Sequence, residues 1–428
     1  MKHVHFLGIG GSGASAVAAI AQANEFTITG CDIDPFNNFT KDFNSDQLFK
    51  GHSADHLVNI DILVVTPAVF SLDPDNLEVN VARKNGIPVL SWQEFMGKYL
   101  LKGKFVIAVS GTHGKSTTTA MIGGILEDAG LDPTVEVGAI VPRWNSNFRV
   151  GKSKYFLTEA DEFNNNFLFT RPNISVVTSI EMDHPEFFKD FGEYQMSFEK
   201  FLGFTKETIV ANISDIGVAE VLKGVVKQTG IKVLDYSKSE FNLNLKVSGH
   251  HNQLNAAAAF QVGLELGIDP GVIKSSLENY QGIERRMEYL GEFSGAKIYT
   301  DFGHHPTEVK ATIAAAREMF PNKKLMVIFQ PHMFSRTKAL FLDFVTVLKN
   351  LPVERVLIMD IYPSREIDRG LIHSRQLVEA IKKDSVSYVG SKEEVLKILK
   401  NEFRGDDVIF FIGAGDIDKL ARGLVKIP

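Results

Sequence analysis

The chain has 428 residues, with 46 Lys and Arg against 52 Asp and Glu, a formal net charge of −6 and 44% hydrophobic residues. At about 150 residues per domain, this length accommodates about three domains, each with its own core. The charge balance excludes the basic surface typical of nucleic-acid binding, and the single cysteine, Cys31, excludes an internal disulfide. No stretch reaches the roughly 18 apolar residues of a membrane span. We therefore expect a cytoplasmic protein that binds neither nucleic acid nor membrane.

Short apolar runs alternate with helix-period segments along the whole chain, which is typical of parallel sheets covered by helices. We predict an α/β fold of three domains, residues 1–104, 105–283 and 284–428. The predicted strands are Val4–Gly8, Thr27–Asp32, Ile62–Thr66, Phe105–Val109, Tyr155–Thr158, Ile174–Thr178, Lys297–Thr300, Leu325–Phe329, Arg355–Met359 and Val408–Ile412. The predicted helices include Ala14–Ala23, Gln93–Lys104, Ser116–Ala129 and Ala256–Leu266.

A glycine-rich turn follows the first predicted strand and opens a helix. Its glycines are Gly8, Gly10, Gly11 and Gly13. Without side chains, these positions let backbone N–H groups approach a diphosphate, and Asp32 ends the second strand where a ribose hydroxyl is commonly recognised. The alternative is a tight turn without a ligand. The motif favours a nucleotide diphosphate, not necessarily NAD.

A second loop between a strand and a helix has the chemistry of a phosphate site, although its spacing departs from the strict GxxxxGK[ST] pattern. It runs Gly111-Thr112-His113-Gly114-Lys115-Ser116-Thr117. The glycines permit close approach of phosphates, Lys115 neutralises their charge, and the Ser116 hydroxyl is a ligand for Mg²⁺. The loop therefore predicts ATP binding.

Acidic residues follow two further strands. Glu159–Glu162 ends one predicted strand, and Glu181–His184 follows another. Because strand carboxyl ends meet at one edge of a parallel sheet, these side chains are expected near the phosphate loop. Carboxylate oxygens suit Mg²⁺, although such runs are often only solvated surface.

Two further pairs have both a structural and a functional interpretation. Asn252 and Asn255 lie three apart on one helical face, and they either cap the following helix or donate to a nucleotide base. Arg285 and Arg286 lie at the second predicted domain boundary. Each arginine either reaches an anion from the hinge or belongs to a solvated charge pair.

Polar loops end two strands of the third predicted domain. Thr300–Thr307 includes Asp301, His304 and His305, and Phe329–Thr337 includes His332 and Arg336. Open α/β sheets bind ligands at such ends. Zinc held by the three histidines is the alternative, but no cysteine accompanies them and no HExxH spacing is present.

In order, these motifs resemble those of the Mur ligases, the ATP-dependent amide-forming enzymes of peptidoglycan synthesis. The resemblance spans essentially the whole chain through GIGGSG, GTHGKSTTT, EADE, EMDH, GHHNQLN, ERRMEYLGE, DFGHHPTEV, FQPHMFSRT, YPSRE and GAGDI. It implies a Rossmann-like UDP-binding domain, a central P-loop-type ATPase domain and a C-terminal dinucleotide-fold domain. It also implies ATP and Mg²⁺ as cofactors and a monomer or homodimer.

The resemblance assigns a role to each motif. It implies ATP binding by Gly111, Thr112, His113, Gly114, Lys115, Ser116, Thr117, Asn252, Asn255, Arg286 and Asp301. It implies metal binding by Ser116, Glu159 and His184, UDP-sugar binding by Gly8, Gly10, Gly11, Gly13 and Asp32, and amino-acid binding by His305 and Arg336. The implied catalytic residues are Lys115, His184, Arg286, Asp301 and His305.

Within the family, the motifs of the third domain are most similar to the branch that joins L-alanine to UDP-N-acetylmuramate. The nearest alternative is the recycling branch, which joins a preformed tripeptide and whose Glu-Ala-Asp-Glu-Tyr-Asp motif resembles Glu159–Asn164. A nicotinamide-dependent oxidoreductase accounts for the first glycine turn but leaves Gly111–Thr119 unexplained. A silent UDP-sugar-binding protein does not account for the retained Lys115.

Overall fold

The structure is a computed structural model that describes residues 1–238, 243–402 and 405–426. The chain forms two compact units. The first contains Met1–Met182, Phe187–Lys246 and Asn252–Ile283, and the second contains Asp183–Glu186, Val247–His251 and Glu284–Pro428. No helix within the described ranges is long and apolar enough to span a bilayer.

The first unit begins with a five-stranded parallel sheet in the order β3-β2-β1-β4-β5. Its strands are β1 (His3–Leu7), β2 (Thr27–Asp32), β3 (Leu48–Lys50), β4 (Ile62–Val65) and β5 (Val89–Ser91). Its helices are α1 (Ser12–Ala23), α2 (Ala68–Leu72), α3 (Leu77–Lys84) and α4 (Trp92–Phe95), with short 3₁₀ helices at Ser45–Gln47 and Ala54–Leu57. The strand order reverses between β1 and β4, which places the first glycine turn at a topological switch point.

A seven-stranded sheet in the order β12-β11-β10-β6-β9-β7-β8 completes the first unit. Its strands are β6 (Phe105–Ser110), β7 (Thr134–Val141), β8 (Ser146–Arg149), β9 (Tyr155–Glu159), β10 (Ile174–Val177), β11 (Thr208–Ala211) and β12 (Lys232–Asp235). The helices that follow β6 are α5 (Lys115–Asp128), α6 (Phe191–Leu202), α7 (Ile216–Thr229), α8 (His250–Glu265) and α9 (Pro270–Glu278). Only the β7–β8 pair is antiparallel in this sheet as described.

The second unit is built on a six-stranded sheet in the order β13-β14-β18-β15-β16-β17. Its strands are β13 (Glu288–Phe293), β14 (Ala296–Asp301), β15 (Leu325–Phe329), β16 (Arg355–Ile358), β17 (Val386–Tyr388) and β18 (Val408–Ile412). Its helices are α10 (Pro306–Met319), α11 (Phe334–Ala339), α12 (Phe341–Asn350), α13 (Ser374–Ile381), α14 (Lys392–Glu402) and α15 (Ile417–Leu424). Every residue of β15 and β18 is buried, as expected for central strands that helices cover on both faces.

The α/β fold class is confirmed, and the predicted strands agree with the observed ones to within a residue or two. One local prediction is wrong. The helix predicted from Ala256 begins at His250, so Asn252 and Asn255 lie inside α8 and do not cap it. The six residues from His250 to Asn255 contain neither Gly nor Pro, so nothing in them interrupts a helix that begins directly after Gly249.

The segment Gln93–Lys104, predicted as a helix that ends in a linker, is helical over its first part. It begins as α4 at Trp92, continues as a π-helical turn over Met96–Leu100 and ends there. The side chains of Phe95, Met96 and Leu100 are buried in the core beneath α1. The apolar residues of this segment therefore predict which side chains are buried, but they do not predict where the helix ends.

Candidate active site

The glycine turn after β1 is held by close packing and by Asp32. Gly8 has a φ of +88°, and a Cβ there would lie 2.2 Å from a methyl carbon of Thr66. A Cβ on Gly13 would lie 2.4 Å from the ring of Trp92. The backbone N–H of Gly10 donates to Asp32 Oδ2 over 3.0 Å. The turn therefore leaves no room for side chains at Gly8 and Gly13, and glycine at such positions is a feature of diphosphate loops.

Asn147, on β8, was not anticipated from the sequence. It is fully buried, and its Nδ2 donates to the backbone oxygen of Ser12 over 2.5 Å and to Ser15 Oγ over 3.1 Å. Both acceptors belong to the first turn of α1. The hairpin of the second sheet thus fixes the helix that begins at the glycine turn.

The phosphate loop connects β6 to α5. Gly111 and Gly114 have φ values of +127° and +81°, which glycine adopts readily and other residues rarely adopt. A Cβ on Gly114 would lie 2.5 Å from Asn255 Oδ1, which also accepts a hydrogen bond from Thr118 Oγ1 over 3.2 Å. Asn255 therefore lies against the loop and the first turns of α5. The N–H groups at the start of a helix suit an anion.

Lys115, the first residue of α5, lies at the centre of a buried polar network. Its Nζ donates to Gly111 O over 2.6 Å and to the two carboxylate oxygens of Glu162 over 2.9 and 3.1 Å. The Tyr194 hydroxyl donates to Glu162 over 3.1 Å. Burial lowers the pKa of Lys115, but Glu162 and the neighbouring acids outweigh it, so the net pKa is raised and the ammonium form is retained.

Glu159 lies at the same sheet edge as the loop, because it ends β9 and β9 pairs in parallel with β6. Its Oε1 accepts the N–H of Gly138 over 2.6 Å. Glu136 is buried beside it and accepts from Thr158 Oγ1 over 2.6 Å. Burial, together with the charge of Glu159, raises the pKa of Glu136 to about 8. The site therefore combines an ionised lysine with a carboxyl that is protonated at neutral pH.

Glu181 follows β10 on the other side of the loop. The Thr112 hydroxyl donates to Glu181 O over 3.0 Å, and His113 Nε2 pairs with the Glu181 carboxylate. The N–H of Thr112 donates to Ser179 O over 2.8 Å. These contacts fix the phosphate loop against the segment that carries the EMDH motif.

In the second unit, Arg336 and Asp183 form a buried ion pair. Nε of Arg336 donates to Asp183 Oδ1 over 2.8 Å, and only 2% of the arginine side chain is exposed. Arg336 Nη1 also lies 3.1 Å from His332 Nδ1. Burial raises the pKa of Asp183, but His184 and Arg336 reverse this effect and hold it well below its usual range. His184 has a φ of +55°, and its Nδ1 lies 3.2 Å from Glu186.

Arg286 lies two residues before β13, and Asp301 is the last residue of β14. Arg286 Nη1 donates to Glu308 over 3.3 Å, and Asp301 accepts the N–H groups of Met287 and Gly303 over 2.9 and 2.8 Å. Burial raises the pKa of Asp301 while Arg286 opposes the shift. The Arg286 guanidinium is therefore partly exposed, whereas the Asp301 carboxylate is buried.

His305 caps α10, since its Nδ1 accepts the N–H of Thr307 over 3.3 Å and its own N–H donates to Glu308. Burial lowers the pKa of His304 to about 3 and that of His332 to about 2, so both rings are neutral at pH 7. No group of three close ligands in the described part of the chain contains both His304 and His332. This arrangement does not support the alternative of a zinc ion held by His304, His305 and His332.

The comparisons with known proteins cover the whole chain. Residues 3–103 match the Mur ligase family catalytic domain, residues 109–248 the Mur ligase middle domain and residues 285–415 the Mur ligase glutamate ligase domain. The chain is 36% identical to the UDP-N-acetylmuramate–L-alanine ligase of Aquifex aeolicus, covering 100% of this chain and 98% of that protein. It is 37% identical to the protein of that name from Acetivibrio thermocellus, covering 99% and 96%.

The chain belongs to the Mur ligase family. As a Mur ligase it is an ATP-dependent amide-forming enzyme of peptidoglycan synthesis. A solved structure of the UDP-N-acetylmuramate-alanine ligase from Thermotoga maritima superposes with a TM-score of 0.79 at 26% identity, covering 100% of this chain and 99% of that one. The nicotinamide-dependent alternative is therefore wrong.

The predicted site residues of this Mur ligase are distributed over both units. The first unit holds Gly8, Gly10, Gly11, Gly13, Asp32, Gly111–Thr117, Glu159, Asn252 and Asn255, and the second holds His184, Arg286, Asp301, His305 and Arg336. Sequence reasoning missed Glu162 as the partner of Lys115, and Asp183 as the partner of Arg336. Both lie inside motifs that were recognised, but their partners are distant along the chain.

Proposed function

We propose that this Mur ligase joins L-alanine to the lactyl carboxylate of UDP-N-acetylmuramate with cleavage of ATP to ADP and phosphate. The observation that carries the proposal is identity of 36 to 37% over nearly the full length to two relatives with that name. The phosphate loop, with its ionised Lys115, supports the use of ATP. The glycine turn after β1 supports a nucleotide-sugar site.

The site assignments are part of the same proposal. ATP would be bound by Gly111–Thr117, Asn252, Asn255, Arg286 and Asp301, and the UDP-sugar by Gly8, Gly10, Gly11, Gly13 and Asp32. His305 and Arg336 would bind the amino acid. The close approach of Asn255 to Gly114 supports its place in the ATP site. The UDP-sugar site is supported by a turn in which packing against Thr66 and Trp92 requires glycine at Gly8 and Gly13.

Mg²⁺ fits the donors available at the phosphate loop. Ser116 offers a hydroxyl in the first turn of α5, and Glu159 a carboxylate at the end of β9, which pairs in parallel with the strand that leads into the loop. Mg²⁺ prefers such oxygen ligands. We propose that Ser116, Glu159 and His184 hold the ion. When bound, it would neutralise phosphate charge that Lys115 alone cannot balance.

The reaction has two bond-forming steps. A lactyl carboxylate oxygen attacks the γ-phosphorus of ATP, ADP leaves, and an acyl phosphate forms. The amine of alanine then attacks the acyl carbon, phosphate leaves with the bridging oxygen, and the nitrogen loses a proton. Lys115 stabilises the transferring phosphoryl group, and the N–H groups of the loop orient it.

Phosphate release from ATP tests this function. The full chain is assayed with MgCl₂ and UDP-N-acetylmuramate, and L-alanine, glycine, L-serine and the L-Ala-D-Glu-diamino-acid tripeptide are compared as acceptors. We expect release with L-alanine. Release only with the tripeptide would move the assignment to the recycling branch, and no release with any acceptor would favour the silent binding protein.

The division into domains 1–104, 105–283 and 284–428 stays a prediction, as do the cytoplasmic location and the monomer or homodimer. Sedimentation of the purified chain with and without substrates would determine the oligomeric state. A single species at the mass of one or two chains is expected.

A further inference from the structure

Four metal-ligating side chains meet beneath the first sheet, outside the residues assigned to either nucleotide. They are His5 on β1, Cys31 on β2, His56 in the 3₁₀ helix Ala54–Leu57 and Glu78 in the first turn of α3. We name them the His5–Glu78 cluster. One candidate ligand atom from each residue lies within 4.8 Å of the other three. Four separate segments of the chain therefore bring soft and hard donors to one point.

The cluster is buried. His5, Cys31 and Glu78 are each 0% exposed, and His56 is stacked on Phe49 with ring centroids 4.7 Å apart. Polar and charged groups are rarely buried without compensating partners. Among the described residues, the buried Nε2 of His5 has no such hydrogen-bond partner, which core packing alone does not explain.

His5 has one ring nitrogen without a hydrogen-bond partner among the described residues, the buried Nε2. Its other nitrogen, Nδ1, lies 2.9 Å from Thr29 Oγ1. Nε2 points towards Glu78, with 3.7 Å to the nearer carboxylate oxygen. Burial lowers the pKa of His5 to about 3, so the ring is neutral. A histidine fixed at one nitrogen by a hydroxyl presents the other as a ligand.

Glu78 is a buried carboxylate whose ion pairs in the described structure involve only histidines. His5, His52 and His56 have ring nitrogens 3.7, 3.9 and 3.0 Å from its oxygens. Cys31 Sγ lies 3.3 Å from each oxygen, and the N–H of Ser53 donates over 2.7 Å. No lysine or arginine among the described residues pairs with this carboxylate. A cation at the cluster would balance it.

We propose that the His5–Glu78 cluster is a structural zinc site, with His5, Cys31, His56 and Glu78 as the four ligands. Two imidazoles, a thiolate and a carboxylate form the N, S and O donor set that Zn²⁺ accepts, and four protein ligands make a closed structural site. Ligand atoms of a tetrahedral zinc ion lie roughly 3.3 to 3.8 Å apart, given bonds of about 2.0 to 2.3 Å. The observed separations from Glu78 fall close to this range.

The charges of such a site balance. Burial and the nearby Glu78 raise the pKa of Cys31, so the thiol is protonated without a metal. Zinc binding would release that proton to solvent and form the Zn–S bond. One thiolate and one carboxylate then neutralise the two positive charges, and both histidines bind as neutral rings. The buried site carries no net charge.

His52 belongs to the surroundings of the cluster. Its Nδ1 lies 3.4 Å from Cys31 Sγ, and 27% of its side chain is exposed. This ring therefore lies between the cluster and solvent, where it can hydrogen-bond the bound thiolate. Residues in such positions orient the ligands of metal sites.

The first experiment uses the wild-type full chain. The protein is treated with a chelator, dialysed, and loaded with ZnCl₂ in excess MgCl₂, which occupies oxygen-rich sites. One zinc per chain is expected to remain after dialysis. With CoCl₂ instead, we expect a thiolate-to-cobalt absorption band and the intense visible bands of a tetrahedral ion. No retained zinc, or a cobalt complex without the thiolate band, would overturn the proposal.

The second experiment compares Cys31→Ser with His3→Ala. His3 is a matched control, because its Nε2 also contacts Thr29 Oγ1 but it is not one of the four ligands. We expect Cys31→Ser to lose the thiolate band and to weaken zinc binding by at least about tenfold, whereas His3→Ala keeps both. Equal zinc affinity in wild type and Cys31→Ser contradicts the site. Should Cys31→Ser fail to fold, the wild-type cobalt spectrum still decides.

Discussion

The ammonium group of Lys115 lies 2.9 and 3.1 Å from the two carboxylate oxygens of Glu162. The Glu162 side chain is 0% exposed and that of Lys115 17%, so the two charges neutralise each other away from bulk water. In the proposed ATP site, a bound phosphate would share Lys115 with this carboxylate. Glu162 keeps Lys115 charged and in position.

In the proposed reaction Lys115 lies next to the transferring phosphoryl group, and Lys115→Ala removes this cation. We expect turnover to fall by at least about 100-fold. Binding of UDP-N-acetylmuramate should be largely unchanged, because the glycine turn after β1 is a separate loop. Phosphate release and calorimetric titration measure the two effects, and equal loss of both would contradict the proposed division of labour.

Glu162→Gln tests whether Lys115 and Glu162 act as a buried pair. Either single substitution, Lys115→Ala or Glu162→Gln, leaves one buried charge without its partner, which costs about 3 to 5 kcal/mol of unfolding free energy. We expect the double variant to recover part of this loss without recovering activity. Urea denaturation of the four proteins gives the coupling, and additive effects would show that the pair is not coupled.

Glu136→Gln should change the pH dependence of stability. The pKa of Glu136 is about 8 in the folded chain and about 4.3 in an unfolded one. Its stabilising contribution is therefore complete below about pH 4 and is lost as the pH rises through 8, by up to about 1.4 kcal/mol per pH unit. Glutamine stays neutral, so the variant should gain stability relative to wild type from pH 5 to pH 8. Parallel curves in urea denaturation would refute this.

Gly13→Ala should destabilise the first unit, because the new methyl group would lie 2.4 Å from the Trp92 ring. Overpacking of this kind costs about 1 to 3 kcal/mol. Gly11→Ala is the matched control for stability, since its Cβ would come no closer than 3.6 Å to Gly8 O. Thermal unfolding of both variants provides the comparison. A Gly13→Ala protein as stable as Gly11→Ala would show that Trp92 moves aside.

Asp183→Asn should strongly destabilise the second unit, because Arg336 is 2% exposed and loses its ion-pair partner. Breaking a buried pair costs about 3 to 5 kcal/mol. Glu220→Gln removes an exposed pair with Lys223 and should leave the urea midpoint unchanged. Similar midpoints for the two variants would mean that water reaches the Arg336 guanidinium.

Local patterns predicted much of this molecule. A few consecutive residues predict the strand, turn and helix around Lys115. The uninterrupted apolar runs of β15 and β18 predict strands that are buried on both faces. The same local argument failed at Asn252 and Asn255. They are favoured at helix caps, but their neighbours continue the helix and Asn255 contacts the phosphate loop instead.

The long-range contacts were beyond local prediction. Arg336 and Asp183 are 153 positions apart, and nothing in either motif specifies the other as its partner. Asn147 lies in a hairpin without a chemical signature, yet it binds α1. In the sequence, a buried carboxyl such as Glu136 cannot be distinguished from a surface glutamate. Its pKa is raised by burial and by the charge of Glu159, which only the folded structure shows.

The core beneath α1 joins the first two sheets, so the enzyme cannot be divided cleanly between them. Val106 and Phe156, from β6 and β9, are buried in the same apolar cluster as Val4, Phe6 and Val17. A fragment cut at residue 104 would lose these side chains as well as the Asn147 hydrogen bonds. The two sheets of the first unit therefore share one apolar core, and exchanging the amino-terminal sheet for that of a relative requires matching residues in the second sheet.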